Sequence, residues 1–365
     1  MAGIFGSLSI NDNDRVFNAT TGQRAIYDVA AAWVAERNAA LDAALALFVG
    51  ETTDEYSRRY KLPGGGYLQR RGSQGRPVAV KASGSWDVAF PLEDFAAQMA
   101  WNDVDMAYMT VRELENHLNT VWVQNQNTVR FELIKALVNN TADTFSDPLH
   151  GDLTIQPLAN GDTVVYPPVL GASAEATDDH YLESGYLYTA ISDVNDPYET
   201  MAGELEEHFD APTGGGAIAV FQPASVTPYT TQLTNFVSVA KMGIQYGSTT
   251  DLAGPIPAEL MSIGRVLGKM EDSGVWVVEW RYLPTAATPY LVGLHLNAAK
   301  PLVKRIDPAD TGLGEGLQLV ADDSEMPFSA AFWRHRLGFG VGNRLNGVVL
   351  EMAAGGTFTI PTDYD

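Results

Sequence analysis

Two neighbouring stretches decide the reading: EYSRRYKLPGGGYLQRRGSQGRPVAVKASGSWDVAF, residues 55–90, and VRELENHLNTVWVQNQNTVRFELIKALVNN, residues 111–140. In the first, strand-like alternation is broken at Gly64-Gly65-Gly66, from Gly72 to Pro77 and at Gly84. Such breaks interrupt a continuous ladder, so Asp54 to about Asp105 reads as a long, bent two-stranded excursion. It carries few large aliphatic residues, cannot bury much of itself and must lie on something else. In the second stretch, Thr110 with Glu113 has the spacing of a capping box. Val111, Leu114, Leu118, Val121, Trp122, Val129, Leu133 and Leu137 then form an apolar stripe. A helix of about thirty residues spans ~45 Å, well beyond the usual globular length.

Upstream, Thr20 with Gln23 is another capping box and Gly50 a stop, which predicts a helix from about Gly22 to Phe48. Residues 1–18 are polar and irregular and read as an arm. Downstream, Asp152 to Pro168 reads as a hairpin turning at Asn160-Gly161-Asp162. A third helix is expected from Asp193 to Phe209, with Asp196 as cap and Pro197 at its first position. Ala217 to Phe221 is a short apolar strand, and Thr230 to Lys241 reads as helical. Further strands are expected at Gly264 to Met270, Val275 to Tyr282, Tyr290 to Leu296, Leu317 to Val320, Phe332 to Phe339 and Gly347 to Ala353. The order describes an α+β chain.

Hydrophobic residues make up 45% of the 365, enough to bury a full core. The net charge of −22 argues against coating nucleic acid or anionic membranes, both of which require Lys and Arg. Cysteine is absent, which excludes disulfides, thiolate nucleophiles and cysteine-ligated metals. The N-terminus shows no secretory signal, and the longest apolar stretch, Ala43 to Val49, is far short of a bilayer span. A soluble protein of a cytoplasm-like space is expected.

Chemical motifs are sparse. Carboxylate pairs such as Asp103/Asp105, Asp178/Asp179 and Glu206/Glu207 arise easily among 45 acids and read as solvated surface. His117, His150, His180, His208, His295 and His335 are scattered singly. DDHYLE around His180 has the residue types of a metal site but reads as a solvated loop. Neither Gly64–Gly66 nor Gly214–Gly216 has a P-loop ending, and the glycines from Gly338 to Gly342 precede a strand rather than a helix. No catalytic residue, cofactor or metal is assigned.

Charge is more informative. From Asp54 to Lys81, Arg58, Arg59, Lys61, Arg70, Arg71, Arg76 and Lys81 face only Asp54 and Glu55, an island of +5 that leaves −27 on the rest. The island is either a solvated hairpin, a nucleic-acid contact opposed by the surrounding acidic field, or a surface that docks on another copy of the chain. The third accounts best for complementary charge within one sequence.

A basic, glycine-broken excursion followed by an unusually long helix resembles the extended loop and spine helix of tailed-phage major capsid proteins, the Hong Kong ninety-seven type fold shared with encapsulin shells. IGRVLGKMEDSGVWVVEWRYLP (263–284) and ATPYLVGLHLNAAKPLVKRI (287–306) resemble the late axial-domain strands and the return to the peripheral domain. FWRHRLGFGVGNRLNGVVLEM (332–352) resembles the terminal segment. The resemblance implies an arm with a helix at 1–53, an extended loop at 54–107, a peripheral domain with the spine helix at 108–190, an axial domain at 191–300 and return strands at 301–365. It further implies a non-enzymatic virion protein that is assembled in the host cytoplasm. Copies would form hexamers and pentamers around double-stranded DNA, without sequence-specific binding. Portal, separate scaffolding and decoration proteins would be its other partners, with no membrane. The seven basic residues would make the inter-subunit contacts. An encapsulin-type compartment, or an acidic hydrolase with carboxylates between Asp193 and Asp251, is the alternative.

Overall fold

A computed structural model describes residues 23–61, 68, 85–102, 108, 111–170, 172, 174–208, 218–239, 260–285, 288–323 and 328–364. Its helices are α1 (Gln23–Leu45), α2 (Val111–Val138) and α3 (Pro197–Glu206), with single turns at Thr227–Thr230 and Leu260–Ile263. The first seven strands are β1 (Val49–Thr53), β2 (Ser57–Lys61), β3 (Ser85–Ala89), β4 (Glu93–Asn102), β5 (Asp143–Asp147), β6 (Gly151–Ile155) and β7 (Tyr181–Glu183). Then come β8 (Ile218–Gln222), β9 (Phe236–Ser238), β10 (Arg265–Met270), β11 (Trp276–Glu279) and β12 (Tyr290–His295). The last are β13 (Leu302–Arg305), β14 (Gln318–Asp323), β15 (Phe328–Val341) and β16 (Val348–Glu351). No helix among the described residues is long and apolar enough to cross a membrane.

The chain forms two compact units, each drawn from separate stretches: 1–45, 92–132 and 305–338 in the first, the remainder in the second. In the first, β15 runs antiparallel to β4, from Phe328 opposite Asn102 to Leu337 opposite Glu93, and also pairs with β14. Val34 and Leu41 of α1 are buried, as are Val121, Trp122, Asn125 and Val129 of α2, a spacing that keeps one helical face inward. Trp33 meets Trp122 edge-on at 6.2 Å. Asn38 brackets Leu317, donating to its carbonyl and accepting from its N–H, which anchors the chain just before β14.

The second unit is built on a seven-stranded mixed sheet in the order β7–β16–β12–β8–β11–β10–β9. β7 with β16 and β8 with β11 are parallel, and the other pairs antiparallel. Strands β8, β12 and β16 are buried throughout, because both faces are covered. On one face Tyr198, Met201, Ala202 and Leu205 of α3 pack on Ile218, Val220, Leu291, Val348 and Leu350. The helix approaches β12 closely at Gly293, where a Cβ would stand 3.0 Å from Met201 Cε. Phe221, alternating to the other face, meets Phe48 and Trp280, and these two stack at 5.2 Å.

α3 starts as expected. Pro197 opens it, and the Asp196 carboxylate accepts from the N–H groups of Tyr198 and Glu199. α1 and α2 lie within the predicted limits. The excursion is shorter than expected: β2 and β3 form its paired base, but Glu93–Asn102 is a regular strand of the first unit. The hairpin expected at 152–168 is instead β5–β6, turning at Pro148–His150. Asp147 Oδ1 accepts from the N–H groups of Leu149 and His150, and Gly151 adopts φ +75°, so an aspartate-capped turn takes the place of Asn-Gly. Within the helix expected at 230–241, Phe236–Ser238 is instead a strand that pairs with β10, and residues 240 and 241 lie outside the described residues. β10 can approach because Gly268 has no side chain: a Cβ there would lie 2.2 Å from the Val237 carbonyl oxygen.

The loop that should have turned the hairpin has another task. Arg344, wholly buried, donates from Nε to the Pro157 carbonyl (2.9 Å) and from Nη2 to the Leu158 carbonyl and Asn160 Oδ1 (both 3.1 Å). Its Nη1 lies 2.9 Å from Asp162 Oδ2. The Ala159 N–H returns a bond to the Arg344 carbonyl. Asn160 Nδ2 donates to the Asn140 carbonyl, and Tyr181 Oη to that of Asn139. One guanidinium therefore fixes a loop that holds the chain after α2 and the start of β7. Arg344→Met keeps the volume but strands two carbonyls and a carboxylate, and should cost about 3 kcal/mol in denaturant unfolding. A loss below ~1 kcal/mol would show that water replaces the guanidinium at little cost.

Candidate functional site

The base of the excursion has two unlike faces. Inward, Tyr60 stacks on Trp86 at 5.6 Å, and Trp86, Val88 and Phe90 bury against Ala159, Tyr166, Val303 and Leu345. Outward, Arg59 stands directly opposite Asp87 in the β2–β3 register and binds its carboxylate through Nε and Nη2 at 2.5 and 2.6 Å. Its hydrogen bonds hold the Asp87 carboxyl below the usual range. Arg58 pairs with Glu51 and, at 2.8 Å, with Glu55. Lys61 is exposed at the end of β2. Arg70, Arg71, Arg76 and Lys81 lie outside the described residues.

This changes the charge island. Glu51 and Asp87 lie just outside the window that gave +5, and the fold brings both back onto its arginines. Arg58 and Arg59 hold acids of their own chain, so the surplus rests on Lys61 and the four residues beyond the described part.

A second cluster was not legible as one. Asp178 and His180 precede β7, and Glu207 and His208 follow α3. His180 is fully buried and His208 nearly so, contrary to the solvated loop expected from DDHYLE. Asp178 Oδ2 lies 2.8 Å from Nε2 of both histidines, and Glu207 Oε1 lies 3.4 Å from His208 Nε2. One ligand atom from each of the four residues falls within 4.8 Å of all the others. Burial pushes the Asp178 carboxyl up, but the two histidines outweigh it and hold it well below the usual range. Burial opposes protonation of His180, but Asp178 outweighs it and raises the imidazole. Glu204, desolvated and facing Glu207, is pushed up to about 7. The one available signal was local: Asp-x-His in an extended segment puts both side chains on one face. Nothing in the sequence pairs that face with Glu207-His208.

Asp193 and Asp196, in the region considered for a hydrolase, are taken up by the backbone N–H groups of Thr234 and of Tyr198 and Glu199. Asp103 and Asp105 lie outside the described residues.

No family model matches the chain, and no curated protein is similar to it in sequence. Among solved structures, a chain of Mycobacterium phage Patience is similar at a TM-score of 0.68 and 20% identity, over 100% of this chain and 98% of that one. Weaker likenesses are to the capsid of cyanophage P-SCSP1u (TM-score 0.47, 10% identity, 85% and 87% covered) and the capsid of the native GTA particle (0.45, 14%, 86% and 90%). The α+β fold is thus shared along its whole length with that chain of Mycobacterium phage Patience, as the resemblance implied.

The two faces of the excursion base should respond differently to mutation. Trp86→Ala empties a buried site and should cost about 3 kcal/mol. Asp87→Asn, on the exposed face, should leave the thermal midpoint unchanged. The reverse ranking in thermal unfolding would show that the outer ion pair, not the aromatic face, anchors the hairpin.

Proposed function

We propose that the chain is the major capsid protein of a tailed virus of bacteria or archaea, a shell subunit rather than an enzyme. What carries this reading is the end-to-end likeness to a chain of Mycobacterium phage Patience, joined to the element order that the resemblance specified. A two-stranded base leads into the excursion, and a helix of 28 residues follows it. The division into arm, extended loop, peripheral domain, axial domain and return strands belongs to the same reading.

Copies of the chain assemble as hexamers and pentamers into an icosahedral shell around double-stranded DNA, and the protein resides in the virion after assembly in the host cytoplasm. Many modest interfaces, none strong alone, close such a shell by avidity. An acidic body also keeps the inner wall from binding the packaged DNA tightly. Portal, separate scaffolding and decoration proteins are the further partners. With Arg58 and Arg59 engaged at the base, Lys61, Arg70, Arg71, Arg76 and Lys81 remain for acidic surface on neighbouring copies.

Negative-stain microscopy and sedimentation of the purified chain test this. Shells or capsomers are expected, and a monodisperse monomer at high concentration and several salt levels overturns the reading. Arg70→Glu with Arg71→Glu should block assembly with unchanged circular dichroism. Normal particle yield from that variant would overturn the docking role of the loop charges.

A further inference from the structure

His180 is held from three sides, twice through its backbone and once through its ring. Its N–H donates to the Ala159 carbonyl, its own carbonyl accepts from Val349 N–H, and its Nδ1 lies 2.8 Å from the Gly347 carbonyl oxygen. A carbonyl oxygen can only accept, so Nδ1 carries the hydrogen. In the neutral ring, Nε2 therefore presents a lone pair, and it is aimed at Asp178 Oδ2, another acceptor. The same oxygen faces Nε2 of His208, beside which stands Glu207 Oε1. Two imidazole nitrogens and two carboxylates converge where something positive must sit.

We propose that Asp178, His180, Glu207 and His208 bind a divalent transition-metal ion, zinc by the chemistry of the donors, which clasps the C-terminal end of α3 to the segment leading into β7. Two imidazoles and two carboxylates suit zinc, and four protein ligands make a closed structural site rather than a catalytic one. Tetrahedral zinc with bonds of about 2.0–2.1 Å sets its ligand atoms ~3.4 Å apart. The present separations, 2.8 to 4.8 Å, bracket that value and need only side-chain rotation. The His180 Nδ1–H bond to a backbone carbonyl is the outer-shell contact by which ligating histidines are oriented. The site is independent of shell assembly, since all four ligands come from one chain.

The test uses the full-length chain, stripped with chelator and exchanged into metal-free buffer at neutral pH. Adding Zn²⁺ should restore one ion per chain after desalting, measured by elemental analysis, and raise the thermal midpoint. Adding Co²⁺ should give the intense visible bands of tetrahedral cobalt, a signature that needs no variant. Asp178→Asn and His208→Ala should each weaken zinc binding at least tenfold, whereas His117→Ala, at an exposed position of α2, should leave it unchanged. Absence of both retained zinc and tetrahedral cobalt bands in the folded wild-type chain would overturn the proposal and assign the cluster to protons shared between His180, Asp178 and His208. Equal zinc uptake by wild type and Asp178→Asn would overturn it as well.

Discussion

The second unit depends on a cation placed where water cannot follow. Arg344 gives its Nε and Nη2 hydrogens to the Pro157 and Leu158 carbonyls and to Asn160, and sets Nη1 beside the Asp162 carboxylate. A loop of 157–162 has too few neighbouring strands to satisfy its own backbone. Buried carbonyls without partners cost more than most contacts return, so a loop like this needs an internal donor array. Arginine alone offers five N–H groups in a planar fork, where a lysine would reach one or two of the same acceptors. With the loop fixed, Asn160 can hold the end of α2, Ala159 can take the His180 N–H, and Gly347 can lead into β16. Three distant stretches share one anchor.

The sheet above that anchor tolerates burial on both faces because its strands contribute apolar side chains on alternate sides. Ile218 and Val220 go to α3, while Phe221 goes to Phe48 and Trp280. The exceptions are polar and paired. Gln222, fully buried at the end of β8, accepts from Tyr198 Oη and from Thr230 Oγ1, and Thr227 passes a bond on to Glu279. A buried polar chain satisfied this way ties α3 to the far side of β11, and fixes where the helix sits along the sheet.

What could be read from the sequence was what is local. The cap at Asp196-Pro197, the stripe along α2 and the apolar strands at 218–222, 276–279 and 290–295 each follow from residues within a turn or a strand of one another. The errors have a common source. Asn160-Gly161-Asp162 is a good turn, but Arg344, 184 positions away from Asn160, recruits it as a ligand loop, and the hairpin forms where Asp147 caps its own turn. Thr230–Lys241 lacks a pattern strong enough to resist pairing with β10, which Gly268 admits. His180 and His208 are 28 positions apart and meet only because β7 and the end of α3 do. The pairing of Arg58 with Glu51 and of Arg59 with Asp87 was likewise not legible, since both acids lie outside the basic window.

An acid surplus of 22 constrains the interior more than the surface. Exposed carboxylates are solvated at no cost, but a carboxylate that enters the fold needs a cation or several hydrogen-bond donors, and cations are scarce in this chain. Asp147, Asp196 and Glu351 are met by N–H and hydroxyl donors, and three others by basic side chains. Asp162 is held by Arg344, Asp307 by Arg336 of the first unit, and Asp178 by two imidazoles. The first two use groups that are charged at every pH the protein meets. The third does not: with Nδ1 of His180 committed to the Gly347 carbonyl, its Nε2 can donate to Asp178 only when the ring carries a second proton. That asymmetry singles out the cluster beside Glu207: it is the buried acid of the three whose counter-charge is not built into the chain, and so the place where an external cation has most to contribute.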